Sequence, residues 1–136
     1  MHLPSITAGY LAVLALLYVA LSMQVVRLRQ RHHAAFSDGG SAELRSAIRA
    51  HAHFAEYVPI TALMVAMLEM SGASALRVHL LMAALLLARL LHPLGMYAKR
   101  NTLAFRIGRI GGMTVTITLL IVCATLILSR ALIPAN

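Results

Sequence analysis

Tryptophan is missing from this chain, and cysteine occurs once, at Cys123. A lone cysteine excludes an intrachain disulfide and any cysteine-based zinc site. Acids are almost as scarce: Asp38, Glu43, Glu56 and Glu69 stand against 12 lysines and arginines, for a net charge of +8. Only 12% of the residues are charged and 60% are hydrophobic, whereas a soluble domain is about a quarter charged. A soluble globule is thereby excluded, because too few polar residues remain to cover its surface. The basic excess does not point to nucleic acid, since the cations lie between long apolar runs. That alternation belongs to a membrane protein with basic loops on one side.

A helix that spans a bilayer needs roughly 20 apolar residues. Four segments qualify: about 4–26, 42–70, 76–97 and 105–128. The fold class expected is all-α, a four-transmembrane-helix bundle forming one domain over 1–136. The first segment is too long for a signal peptide and lacks a small-residue cleavage site, so it is read as a retained span. Asp38-Gly39-Gly40-Ser41 reads as a turn with Ser41 as N-cap and Glu43 in the first turn of the second helix. Ser71-Gly72-Ala73-Ser74 ends that helix and starts the third, and Asn101-Thr102 starts the fourth.

Orientation follows from the cations. Arg27, Arg29, Arg31, Arg45 and Arg49 cluster between the first two spans. Lys99, Arg100, Arg106 and Arg109 cluster between the last two. Arg77 and Arg130 alone fall on the other side. Positive loops stay in the cytoplasm, so both termini are expected to be extracytoplasmic, in a multi-pass protein of the cell inner membrane.

The second helix carries the chemistry. At about 100° per residue, Arg45, Arg49, His53 and Glu56 share a quarter of its circumference, and His51 points elsewhere. A charged side chain at mid-membrane costs about 2.5 to 3.5 kcal/mol on insertion scales, so such residues face the bundle interior and pair. Arg49 is expected to pair with Glu56, along the helix or across a subunit boundary. In the third helix, Arg89, His92 and Met96 share a face. Arg89 is read either as half of a bundle ion pair, with Glu56 as partner, or as a ligand group. Gly108 and Gly112 make a small-xxx-small pair that lets helices approach closely, and Thr114, Thr118 and Thr125 line one face of the fourth helix.

The run Arg49-Ala-His51-Ala-His53-Phe-Ala-Glu56-Tyr57-Val-Pro59 resembles the Arg-x-x-x-Asn-x-x-Glu-Tyr-x-Pro signature of the MAPEG family, the membrane-associated proteins of eicosanoid and glutathione metabolism. Val-Val-Arg-Leu-Arg at 25–29, Asp-Gly-Gly-Ser at 38–41, Glu69-Met70 and Arg89-Leu-Leu-His92-Pro-Leu-Gly95-Met-Tyr97 are similar to its small bacterial inner-membrane branch. The resemblance covers nearly the whole chain. It implies a homotrimer of four-helix bundles that bind glutathione as co-substrate between subunits on the cytosolic side. No metal is expected, because His51 and His53 cannot share a helical face and His92 shows no second ligand near it in the sequence. Arg45, Arg49, His53, Glu56, Tyr57, Arg89 and Tyr97 would form the binding site. Arg106 would stabilise the thiolate, since a neighbouring cation lowers a thiol's pKa. The reaction implied is that of a glutathione transferase or peroxidase acting on a lipophilic small molecule drawn from membrane lipid. One position departs from the signature: the asparagine site holds His53. Two other classes stand beside this one. One is a non-catalytic membrane protein that binds a lipid or partner through the polar cavity. The other is a small four-helix transporter, which the absence of any acid in the first helix disfavours.

Overall fold

A computed structural model describes residues 3–132. It contains α1 (Ser5–Arg31), α2 (Ala42–Met70), α3 (Ala75–Tyr97), a π-helical segment (Phe105–Gly111) and α4 (Gly112–Leu132) continuing from it. The all-α four-helix bundle expected from the sequence is the observed architecture. Helices α2 and α3 are central and each touches all the others, while α1 and α4 lie on opposite edges without meeting.

The edge helices show their surroundings in their side chains. Only Thr7, Leu14 and Leu28 of the 27-residue α1 are buried. Leu16, Leu80, Leu94 and Ile121 are among the large apolar residues left exposed. So much exposed apolar surface has no place in water and suits a bilayer. Three helices are long and apolar enough to cross one: α1, α3 and the Phe105–Leu132 helix. Helix α2 falls short of that standard because its first half is polar, yet it packs as the bundle's central member. Its 29 residues span about 43 Å at 1.5 Å each, longer than the roughly 30 Å hydrocarbon layer. Its first turns therefore reach beyond the apolar slab.

Helix limits follow local chemistry. Ser41 caps α2 by accepting from the Leu44 N–H at 3.2 Å, and Asp38 accepts from the Gly40 N–H at 3.0 Å. Gly39, Gly40 and Gly72 take positive φ in the two turns, where glycine carries no Cβ penalty. Thr102 accepts from the Phe105 N–H at 3.2 Å and opens the last helix. Helix α1 runs on to Arg31, past the end expected near 26. The apolar stretch stops at Val26, but Arg29 and Arg31 suit the negative end of a helix dipole and the helix continues in water.

The core is built from Leu14 of α1, Phe54, Val58 and Val65 of α2, Val78, Met82 and Leu85 of α3, and Leu119 and Cys123 of α4. Backbones come closest where α3 meets the π-helical segment. A Cβ on Gly95 would lie 2.1 Å from the Arg109 nitrogen, one on Gly108 2.6 Å from the Gly95 nitrogen, and one on Gly112 2.9 Å from the Ala88 carbonyl oxygen. The Gly108–Gly112 pair thus does allow close approach, with Gly95 as its counterpart. Thr114, Thr118 and Thr125 are exposed. The threonine of α4 that faces the bundle is Thr116, fully buried.

Candidate functional site

The polar residues of α2 and α3 meet in one row at the basic end of the bundle. Arg49 is exposed and one of its guanidinium nitrogens lies 2.8 Å from His53 Nε2. His53 Nδ1 lies 3.0 Å from Nε2 of His92 on α3. His92 is buried, and its Nδ1 has no partner among the described residues. One turn earlier on α3, Arg89 is 1% exposed. It donates to the Gly112 carbonyl at 3.1 Å, to Thr116 Oγ1, and weakly to the His53 carbonyl at 3.4 Å. Its Nε is unpartnered among the described residues. Tyr57 stands edge-on to His53, ring centroids 6.3 Å apart.

Two expectations are corrected here. Arg49 does not pair with Glu56 within the chain: among the described residues the ion pairs are His32–Glu43 and Arg45–Asp38. The reason is distance along the helix. His53 is one turn from Arg49, whereas Glu56 is two turns, about 10 Å, away. Glu56 stays exposed, although its charge is felt at His53. Nor is Arg89 part of an ion pair among the described residues. No carboxylate among the described residues neutralises it, and it is held instead by a carbonyl and a hydroxyl of α4, dipoles that the close glycine contact brings within reach.

Other expected site residues take separate places. Arg45 turns back to the loop and binds Asp38, lowering that carboxyl below its ordinary value, with help from the Gly40 N–H. Tyr97 is exposed beside Gln24 of α1. Arg106 is exposed, and its side chain makes no hydrogen bond or ion pair among the described residues. The cation of that segment whose field reaches both His53 and His92 is Arg109, which lies over the Phe105 ring at 5.4 Å from its centroid. The row therefore gathers Arg49, His53, Tyr57 and Arg89, and adds His92, Arg109 and Thr116. The spacing of His92 on the Arg89 face was the one signal in the sequence for it; Thr116 carried none.

Beside the row, Tyr18 of α1 stacks on His51 and Phe54, centroids 4.7 and 5.5 Å apart. It closes one end of an apolar groove of about 720 Å³ between α1 and α2, lined by residues such as Leu11, Leu14, Ala15, Val58 and Ala62.

A model of the MAPEG family matches residues 7–129. The chain belongs to the MAPEG family. The chain is also similar to the inner membrane protein YecN of Escherichia coli strain K12 and to the same protein of Escherichia coli O6:H1. Each is 41% identical over 92 residues, which cover 68% of this chain and 70% of the relative. No solved structure matches it.

Proposed function

We propose that this MAPEG protein lies in the inner membrane as a homotrimer with both termini outside, and binds an anionic thiol peptide of the glutathione type at its basic, cytoplasmic end. The observation that carries this reading is the pair of exposed, oppositely charged side chains on α2, Arg49 and Glu56, flanking the half-buried His53. Glutathione bears two carboxylates and one ammonium, so it needs cations and one anion in reach. Arg49 and Arg109 offer the former and Glu56 the latter, and an arginine fork grips a carboxylate with two parallel hydrogen bonds. A charge as far along a membrane helix as Glu56 calls for cover, and a neighbouring copy of the chain would provide it.

With the thiol held there, Arg109 or Arg106 favours the thiolate. The thiolate then attacks a lipophilic electrophile or hydroperoxide that arrives from the bilayer, for which the α1–α2 groove is a suitable path. The inner-membrane naming of the YecN relatives supports the location. The excess of cations on one side supports the orientation, and a reporter fused after Asn136 should read extracytoplasmic.

A second reading has its own support. Every hydrogen bond of Arg89 is internal, as expected of a non-catalytic module whose polar network holds the bundle. Thermal unfolding of the detergent-purified oligomer separates the two. A ligand that binds only the folded state raises its midpoint by mass action. Millimolar glutathione should protect the wild type and not Arg49→Ala; no protection of either favours the non-catalytic module.

A further inference from the structure

Arginine has only donors, so the Arg49 contact makes His53 Nε2 an acceptor. A neutral His53 then carries its proton on Nδ1 and donates it to His92 Nε2. His92 in turn holds its own proton on Nδ1. Both rings are thus neutral Nδ1–H tautomers, in a row that runs from exposed Arg49 to buried His92. The lone pair of His53 Nε2 faces the exposed Arg49 guanidinium, its one hydrogen-bond partner among the described residues. A ligand carboxylate that draws Arg49 to itself uncovers that lone pair beside the bound ligand.

We infer that His53 is the general base that takes the thiol proton of the bound peptide, with His92 as the positioning residue that fixes the ring's tautomer and direction. This rests on the thiol-peptide reading of the same site. The arrangement has the parts of an activated nucleophile: a thiol, a base in reach of it, and a third group orienting the base. In the step, the S–H bond breaks, its electron pair stays on sulfur, and the proton passes to Nε2 while Nδ1–H remains donated to His92. The thiolate forms a C–S bond to one carbon of an activated alkene. The alkene's π pair moves to the neighbouring carbon, which takes the proton back from Nε2. Nothing is oxidised and no leaving group is required.

The charged and titratable groups facing His53 are Arg49, Glu56 and Tyr57 from α2, Arg89 and His92 from α3, and Arg109 from the π-helical segment. The cations oppose an isolated imidazolium. Proton transfer creates the imidazolium and the thiolate together, however, and Arg89 and Arg109 stabilise the thiolate while Glu56 offsets them at the ring. His53 at the family's asparagine position gives this chain a base where asparagine has none.

The test uses the purified oligomer with glutathione. Heat protection reports binding, ultraviolet absorbance over a pH series reports bound thiolate, and conjugate addition to an activated alkene reports turnover. His53→Asn should keep the heat protection, lose the thiolate signal at neutral pH, and slow addition by about 10²-fold or more. His92→Asn should keep binding and displace the thiolate pH profile upward by a smaller amount. Bound glutathione that stays as thiolate at neutral pH in His53→Asn overturns the base and leaves the binding site standing. A wild type unprotected by glutathione overturns the site and the base together. If His53→Asn does not fold, the His92→Asn profile decides: one identical to wild type overturns the proposal.

Discussion

Glu69, next to the last residue of α2, closes the start of α1. Its carboxylate accepts from the Ile6 and Thr7 N–H groups, both at 2.9 Å, and from Thr7 Oγ1 at 2.7 Å. The first N–H groups of a helix have no partner within it, and α1 has no side-chain cap of its own. A carboxylate from the neighbouring helix supplies it, at the end where the helix dipole favours negative charge. Glu69 is 9% exposed and Thr7 2%, so the bonds are made away from water.

Glu69→Ala should therefore cost about 1 to 3 kcal/mol, the penalty for leaving buried donors unsatisfied. Glu43→Ala, at an exposed position, should cost much less. Chemical denaturation of the two variants in detergent measures the difference. Equal losses would mean that α1 is held by its apolar face alone.

The contact of α3 with the π-helical segment gives a second expectation. Gly95→Ala drives a methyl into the backbone at Arg109, and overpacking of this kind typically costs about 1 to 3 kcal/mol. Gly9, on α1, has nothing among the described residues within 4 Å of an added Cβ. Gly9→Ala should leave stability unchanged or raise it by about 0.5 to 1 kcal/mol, as for any helix-interior glycine. Unfolding midpoints of the two variants should move in opposite directions.

Arg89 ties α3 to α4. Arg89→Ala removes its bonds to Thr116 and the Gly112 carbonyl and opens a cavity. A hydrogen bond to a charged group contributes about 1.5 to 3 kcal/mol, so a loss of about 3 kcal/mol or more is expected. Arg106→Ala, at an exposed position, should stay within about 0.5 kcal/mol of wild type. Thermal unfolding of both variants checks this.

The loop before α2 carries a pH dependence. Arg45 and the Gly40 N–H depress the Asp38 pKa below its ordinary 3.8. The folded state then binds that proton less readily than the unfolded chain. The stability this contributes is complete above the ordinary value and is lost as pH falls through the depressed one. Asp38→Asn should flatten that acid limb of the stability curve. A wild-type limb that the substitution leaves unaltered would show that other carboxyls produce it.

Much of this fold could be read along the chain because its determinants are local. Apolar run length marks the spans, Ser41 and Thr102 mark helix starts, and Gly72 marks a turn. The polar site was only half visible. Arg49 and His53 announce themselves as polar residues on an apolar helix, but their partners are set by how α2, α3 and α4 pack sideways. His92 meets His53 across 39 positions of sequence, and Arg89 meets Thr116 across 27. No spacing along one helix reveals either. The expectation of an Arg49–Glu56 pair along one helix failed for the same reason: a shared helical face does not close two turns of distance. The π-helical segment, which brings Gly108 and Arg109 against α3, also lies outside any 3.6-residue pattern.

The central claim is that Arg49 and its neighbours on α2 hold an anionic thiol peptide. Calorimetric titration of glutathione into the detergent-purified oligomer tests it most directly. The account predicts saturable binding in the wild type, weakened at least tenfold by Arg49→Ala, about 1.4 kcal/mol, and retained in Arg31→Gln. No heat of binding in the wild type, or equal affinity in Arg49→Ala, would contradict it.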